Sequence, residues 1–136
     1  MHPQKEPVFL PLTVGAAQTA TGTGHDAGRE VGRCAEAANT AAAGCWAALL
    51  GGCDSVDRRD LPGRLQALSR ATCGYVGTGA WAVSAHRRRV AEAQLRIDDA
   101  VRDGDGAEFA EAFVGYDQAI ATAVVSVHSN VGISSS

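Results

Sequence analysis

One stretch of the sequence, Leu61 to Asp103, carries apolar residues in a single helical register along its whole length. Spacing by three or four residues is typical of an amphipathic helix. An unbroken helix here would be roughly 60 Å long, whereas the helices predicted on either side would be nearer 35 Å. This mismatch in length constrains the fold more than any other feature. The residues in register are Leu61, Leu65, Leu68, Thr72, Val76, Ala80, Val83, Val90, Ile97 and Val101.

Three glycines, Gly74, Gly77 and Gly79, interrupt this stretch and leave two ways to resolve the mismatch. In the first, the helix breaks at the glycines, and four segments fold back into a compact bundle. In the second, the helix stays continuous and a second copy supplies the missing helices, giving an antiparallel dimer. The usual length of helices in globular proteins favours the break.

A first helix is predicted before this stretch, starting near His25 with a capping box formed by Thr23 and Asp26, and ending at Gly51-Gly52. Three glycines within it, Gly28, Gly32 and Gly44, weaken the helix and let another helix approach closely. Its apolar face is Val31, Cys34, Ala38, Ala41, Cys45 and Leu49. In the polar connection that follows, Asp60 is predicted as the N-cap of the next helix, with Pro62 in the first turn.

The clearest local signal is the end of the long stretch. Gly104 is predicted as a left-handed C-cap, and Asp105 starts a capping box with Glu108. So short a link predicts that the third helix, running to about Ser129, packs antiparallel to the helix before it. Its face is Phe109, Ala112, Phe113, Tyr116, Ile120, Ala123, Val124 and Val127.

The two ends of the chain are predicted to be irregular. Prolines and a Thr/Gly run predict an extended arm over 1–24, and a polar tail over 131–136 is predicted to be disordered, leaving a helical bundle over 25–130. The fold class is therefore all-α: an antiparallel bundle of three or four helices with an extended N-terminal arm.

Composition narrows the classes of function. The net charge of −3 argues against nucleic acid as a partner, although Arg87-Arg88-Arg89 could touch phosphate. No stretch approaches the ~20 apolar residues of a membrane helix. Four cysteines without a C-x-x-C pair, and the lack of a signal peptide, predict a cytoplasmic protein with reduced thiols. Alanine, glycine and arginine in place of lysine suggest a bacterial origin.

Residues that could carry chemistry are few. His86 and His128 are expected to lie near each other if the last two helices pair, with Tyr116 and Asp117 nearby, so His86, Tyr116 and His128 form a candidate ligand site. No catalytic triad, metal-ligand spacing or cofactor motif is present, so no cofactor or metal is predicted. The run from Gly74 to Gly79 lacks the order and the preceding strand of a nucleotide loop.

Two tryptophans, Trp46 and Trp81, stand out because only 5% of the residues are aromatic. Together with Phe9 they are candidate interface residues, since tryptophan is enriched where proteins associate. Filling gaps in an alanine-rich core is the alternative role.

Two functions stay open. The favoured one is a non-enzymatic interaction module, forming a homodimer through a helix face rich in alanine and glycine. The alternative is a bundle that binds a small molecule or metal, with catalysis possible.

Overall fold

A computed structural model of the protein describes residues 8–22 and 26–134, without the side chains of residues 21 and 128–134. Within these ranges the chain forms six helices and no strand, which confirms the all-α class. The helices are α1 (Pro11–Thr21), α2 (Asp26–Gly51), α3 (Val56–Val76), α4 (Thr78–Ala82), α5 (Ala85–Asp103) and α6 (Gly106–Ser134).

The long helices form two hairpins, α2 with α3 and α5 with α6, and α1 packs against both α2 and α6. The second hairpin closes as its sequence predicts. Gly104 adopts φ 68° and ψ 27°, and the Asp105 carboxylate accepts a hydrogen bond from the Glu108 amide at 3.0 Å. Gly52, with φ 69°, follows the end of α2 in the same way.

The long stretch is broken, as helix lengths favour. Gly77 separates α3 from α4 with φ 111°, a value that only glycine adopts readily. A second break follows at Val83 and Ser84, and the Ser84 hydroxyl caps α5 by accepting from the Arg87 amide at 3.2 Å. Two contacts show α5 folded back along α3: Gln94 Nε2 donates to the Pro62 carbonyl at 3.4 Å, and Arg58 Nη2 donates to the Val101 carbonyl at 2.9 Å.

Two helix boundaries differ from the prediction. The second hairpin's last helix continues to Ser134, so residues 131–134 of the predicted disordered tail are helical. Helix α3 starts at Val56, with Ser55 as N-cap in place of Asp60; the Ser55 hydroxyl accepts from the Arg58 amide at 3.0 Å. The helix is therefore capped by Ser55 about one turn before Asp60. Pro62 lies inside the helix rather than in its first turn. Thr23 and His25, of the predicted first capping region, lie outside the described residues.

The prediction of an extended N-terminal arm is wrong for residues 11–21, which form α1. Proline at the first position fits a helix start, because its fixed φ suits the helix and its missing amide costs nothing there. The cap comes from another element, since the Leu10 side chain offers no oxygen. The Asp117 carboxylate on α6 accepts from the amides of Leu12 at 3.0 Å and Thr13 at 2.8 Å.

A second side chain fixes the approach to α1. Asn39 Oδ1 on α2 accepts from the amides of Phe9 at 2.8 Å and Leu10 at 3.1 Å. Four backbone donors are thus satisfied by two side chains from opposite hairpins. Leu10 and Thr13 are fully buried, so this segment is part of the core.

Close approach of helices, predicted at glycines of α2, occurs at Gly28 and Gly44. A Cβ atom added at Gly28 would lie 2.4 Å from the Ala20 carbonyl oxygen on α1. One added at Gly44 would lie 1.8 Å from Asp57 Oδ2 on α3. Both contacts are shorter than real Cβ atoms permit, so α2 meets its two neighbours at positions without side chains.

Candidate interaction surface

The three residues of the candidate ligand site occupy different settings. Tyr116 is fully buried and its hydroxyl donates to the Leu65 carbonyl at 2.7 Å. Its described hydrogen bond therefore joins α6 to α3, and burial raises the pKa of the phenol. His86 is half-buried in the first turn of α5, and its Nδ1 atom has no partner among the described residues. The side chain of His128 lies outside the described part.

Asp117, expected beside that site, has a structural role. It is buried, and both carboxylate oxygens accept amides of α1. The Thr13 hydroxyl in turn donates to the Asp117 carbonyl at 3.2 Å. The contact spans more than a hundred residues of sequence, so no local pattern could have indicated it.

The three predicted interface residues pack within the chain. Phe9 meets Trp46, Phe109 and Phe113 at ring-centroid distances of 5.7, 5.5 and 5.4 Å. Trp46 is half-buried beside these rings, and Trp81 on α4 is buried. The three side chains therefore bury much of their apolar surface in the alanine-rich core.

Among the described side chains, the four thiols belong to no cluster of metal-ligating groups. No group of three or more His, Cys, Asp or Glu side chains within the described ranges is placed to hold a metal ion. Cys45 is fully buried, and desolvation raises its pKa to about 11, against a smaller opposing effect of Arg58. A protonated thiol behaves as a small apolar side chain.

A groove of about 920 Å³ lies between α1 and α2. Small and apolar residues of α1 meet a charged edge of α2 in which Arg29 pairs with Asp26 and Arg33 with Glu30. Charges of both signs, already paired, favour no single class of ligand.

A different surface follows the exposed face of α6. The exposed positions recur every three or four residues, as on one side of a helix, and carry no charge after Glu111. Val114 and Val125 are at least half exposed, about 16 Å apart along the helix axis. We call this set the α6 stripe: Glu111, Val114, Gln118, Thr122 and Val125.

Two shallow depressions flank the stripe. One, of about 360 Å³, lies between α6 and the start of α1 and includes the exposed side chains of Val8 and Val114. The other, of about 600 Å³, lies toward α5 and includes Gly115, Thr122 and Arg89. Leu12 and Gln118 line both. The two depressions therefore adjoin each other along α6, with an apolar wall at α1, and we call them together the α6 groove.

The neighbouring helix shows how unusual this face is. The exposed positions of α5 are dominated by charged residues, including Arg87, Arg88, Arg89, Glu92 and Arg96. Only one ion pair links the two helices among the described residues, between Arg96 and Glu108 at 2.8 Å. This ion pair joins the arginine-rich helix α5 to a helix whose charged residues are all acidic.

Sequence reasoning missed the α6 stripe, although a signal was present. No Asp, Glu, Lys or Arg follows Asp117 in the chain. A helix on the surface of a bundle normally places charges on its outer face. Without knowing which face is outward, the uncharged run reads equally well as a helix buried on all sides.

Comparison of the chain with protein-family models, with curated proteins and with solved structures finds no match. Among the described residues, no helix combines the length and the apolar character required to cross a bilayer.

Proposed function

We propose that the protein is a non-enzymatic helical interaction module that pairs with a second copy of itself through the α6 stripe. The observation that carries the proposal is the exposed face of α6, which carries no charge after Glu111 and on which Val114 and Val125 are at least half exposed. Exposed apolar surface with polar residues around it is typical of sites where proteins associate.

The charges around the groove favour a second copy as the occupant. Glu111 lies at one end of the stripe, whereas Arg89 lines the groove with Thr122 near the other. If two copies met antiparallel about Gln118, Val114 of each would face Thr122 of the other. Arg89 of one copy would then come within about one helical turn of Glu111 of the other. The small residues Gly115 and Ala119 in the groove allow the helices to approach closely.

Light scattering coupled to size exclusion, over a concentration series, tests the pairing. Val114→Lys places a charge in the centre of the interface and should weaken dimerisation at least tenfold, because an unpaired charge is costly to bury. Leu95→Lys is the matched control, since Leu95 is an equally exposed aliphatic residue on the charged helix α5. Its dimerisation should equal that of the unmodified chain.

A charge exchange tests the geometry. Glu111→Arg and Arg89→Glu should each weaken the dimer, and the double variant should recover most of the loss because the opposite charges again face each other. A chain that stays monomeric at high micromolar concentration, or a dimer unaffected by Val114→Lys, would contradict the proposal.

A further inference from the structure

The buried residues of α3 and α5 would lie on the same side of a single helix if the two segments were joined without the break. Thr72 on α3 and Val90 on α5 are both buried and lie eighteen residues apart, which is about five helical turns. The compact fold does not require this agreement, because two helices joined by a turn can bury faces of any relative phase. A continuous helix from α3 through α5 would require it.

Four positions continue this phase through the break: Val76, Gly79, Val83 and His86. Gly79 and Val83 are exposed in the compact form, whereas Val76 packs against the core. The Val83 side chain is 86% exposed. A Cβ atom added at Gly74 or Gly79 would meet nothing within 4 Å, so packing in the compact form does not require glycine at either position. Gly79 and Val83, which share one helix face, suit a close crossing of two helices.

Few residues separate the broken form from the continuous one. Only Gly77 between α3 and α4, and Val83 and Ser84 between α4 and α5, lie outside helices. The α3 and α5 segments themselves would keep their conformation.

We propose that two copies of the chain exchange their α5–α6 hairpins, with α3, α4 and α5 joined into one continuous helix in each copy. The contacts between the halves, such as Tyr116 with Leu65 and Asp117 with α1, would be remade between chains. The two long helices would cross at Gly79 and Val83. This exchange is separate from pairing through the α6 stripe and does not depend on it.

A crosslink across the two halves distinguishes the forms. Gln94 and Pro62 are in contact and neither is buried, so cysteines at both, in a chain whose own four cysteines are replaced, can be joined by a short bifunctional maleimide. The compact form gives a crosslink within one chain. The exchanged form gives a covalent dimer on a denaturing gel. Val114→Lys is included throughout to remove pairing through the α6 stripe.

The variant Gly77→Ala/Ser84→Ala should favour exchange. Alanine disfavours the φ of 111° at residue 77 and favours a helix there, and loss of the Ser84 hydroxyl removes the cap of α5. Each change should shift the equilibrium toward the continuous helix by about fivefold per chain. The covalent dimer should therefore become the main product. Trp81, buried in the compact form, would change environment, so its fluorescence should change in parallel.

Two further variants complete the test. Gly74→Ala/Ser55→Ala makes the same replacements inside α3 and at its cap, and should leave the crosslink within one chain. Thr78→Pro places proline at the first position of α4, where it is tolerated, but would interrupt a continuous helix, so it should also give only the internal crosslink. An internal crosslink in the folded Gly77→Ala/Ser84→Ala variant, or equal dimer yields in all three variants, would overturn the proposal.

Discussion

At the scale of single residues, burial rather than reactivity defines the chemistry of the Cys45 thiol. The side chain is fully buried on α2, and its pKa is raised from 9.0 to about 11 because the thiolate would be desolvated there. The unfolded chain ionises this thiol at lower pH than the folded one. The thiol's contribution to stability is therefore complete below pH 9 and is lost as the pH rises through 11.

Replacing Cys45 should remove this part of the pH dependence. Between pH 8 and pH 11 the unmodified chain should lose about 2 kcal/mol more unfolding free energy than Cys45→Ala, since each unit of pKa shift corresponds to about 1.4 kcal/mol. Urea unfolding of both proteins in reductant, across this pH range, measures the difference. Cys53→Ala, at an exposed position, is the control substitution. Parallel pH profiles for Cys45→Ala and the unmodified chain would refute the assignment.

At the scale of elements, the contact between α1 and α2 depends on the missing side chain at Gly28. An added Cβ would approach the Ala20 carbonyl oxygen to 2.4 Å, and a backbone atom cannot rotate away. Gly28→Ala should therefore destabilise the protein by about 1–3 kcal/mol, although alanine favours a helix. In α1 itself, Gly15 has open space around it, so Gly15→Ala should instead stabilise by up to about 1 kcal/mol.

Thermal or urea unfolding of these two variants gives the sign directly. Because the substitution is the same and both positions are helical, helix propensity alone predicts stabilisation in both cases. A stabilising Gly28→Ala would show that α1 does not pack against α2 as described.

The elements that sequence reasoning located are those with local signals. The α5–α6 connection was predicted because Gly104 and Asp105 lie beside the backbone groups that they satisfy. Helix α1 was missed for the opposite reason. Prolines and a Thr/Gly run suggested an extended arm, and the oxygens that cap the segment belong to Asn39 and Asp117, on α2 and α6. The break at Gly77 was favoured by helix lengths, but the second break at Ser84 had no comparable signal.

At the scale of the whole molecule, α1 joins the two hairpins. Asn39 holds its approach to α2, and Asp117 holds its first turn to α6. Release of α1 would leave a buried carboxylate and amide oxygen without partners and would expose Leu10, which is fully buried. The segment should therefore dock and detach as one unit.

A double-mutant cycle tests this cooperativity. Asp117→Asn turns an amide donor toward the backbone donors of α1, and Asn39→Ala removes the other acceptor; each should cost about 1–3 kcal/mol of unfolding free energy. The double variant should cost less than the sum, because once α1 is detached the second anchor has no docked segment left to stabilise. Urea unfolding of the four proteins gives the coupling. Hydrogen exchange at the Leu12 and Thr13 amides should accelerate in both single variants.

The control pair is Asn39→Ala with Ser55→Ala, since Ser55 caps α3 away from α1. The losses of unfolding free energy in this pair should be additive within about 0.5 kcal/mol. Additive losses in the Asn39–Asp117 cycle would mean that the two anchors act independently, and that α1 does not couple the hairpins.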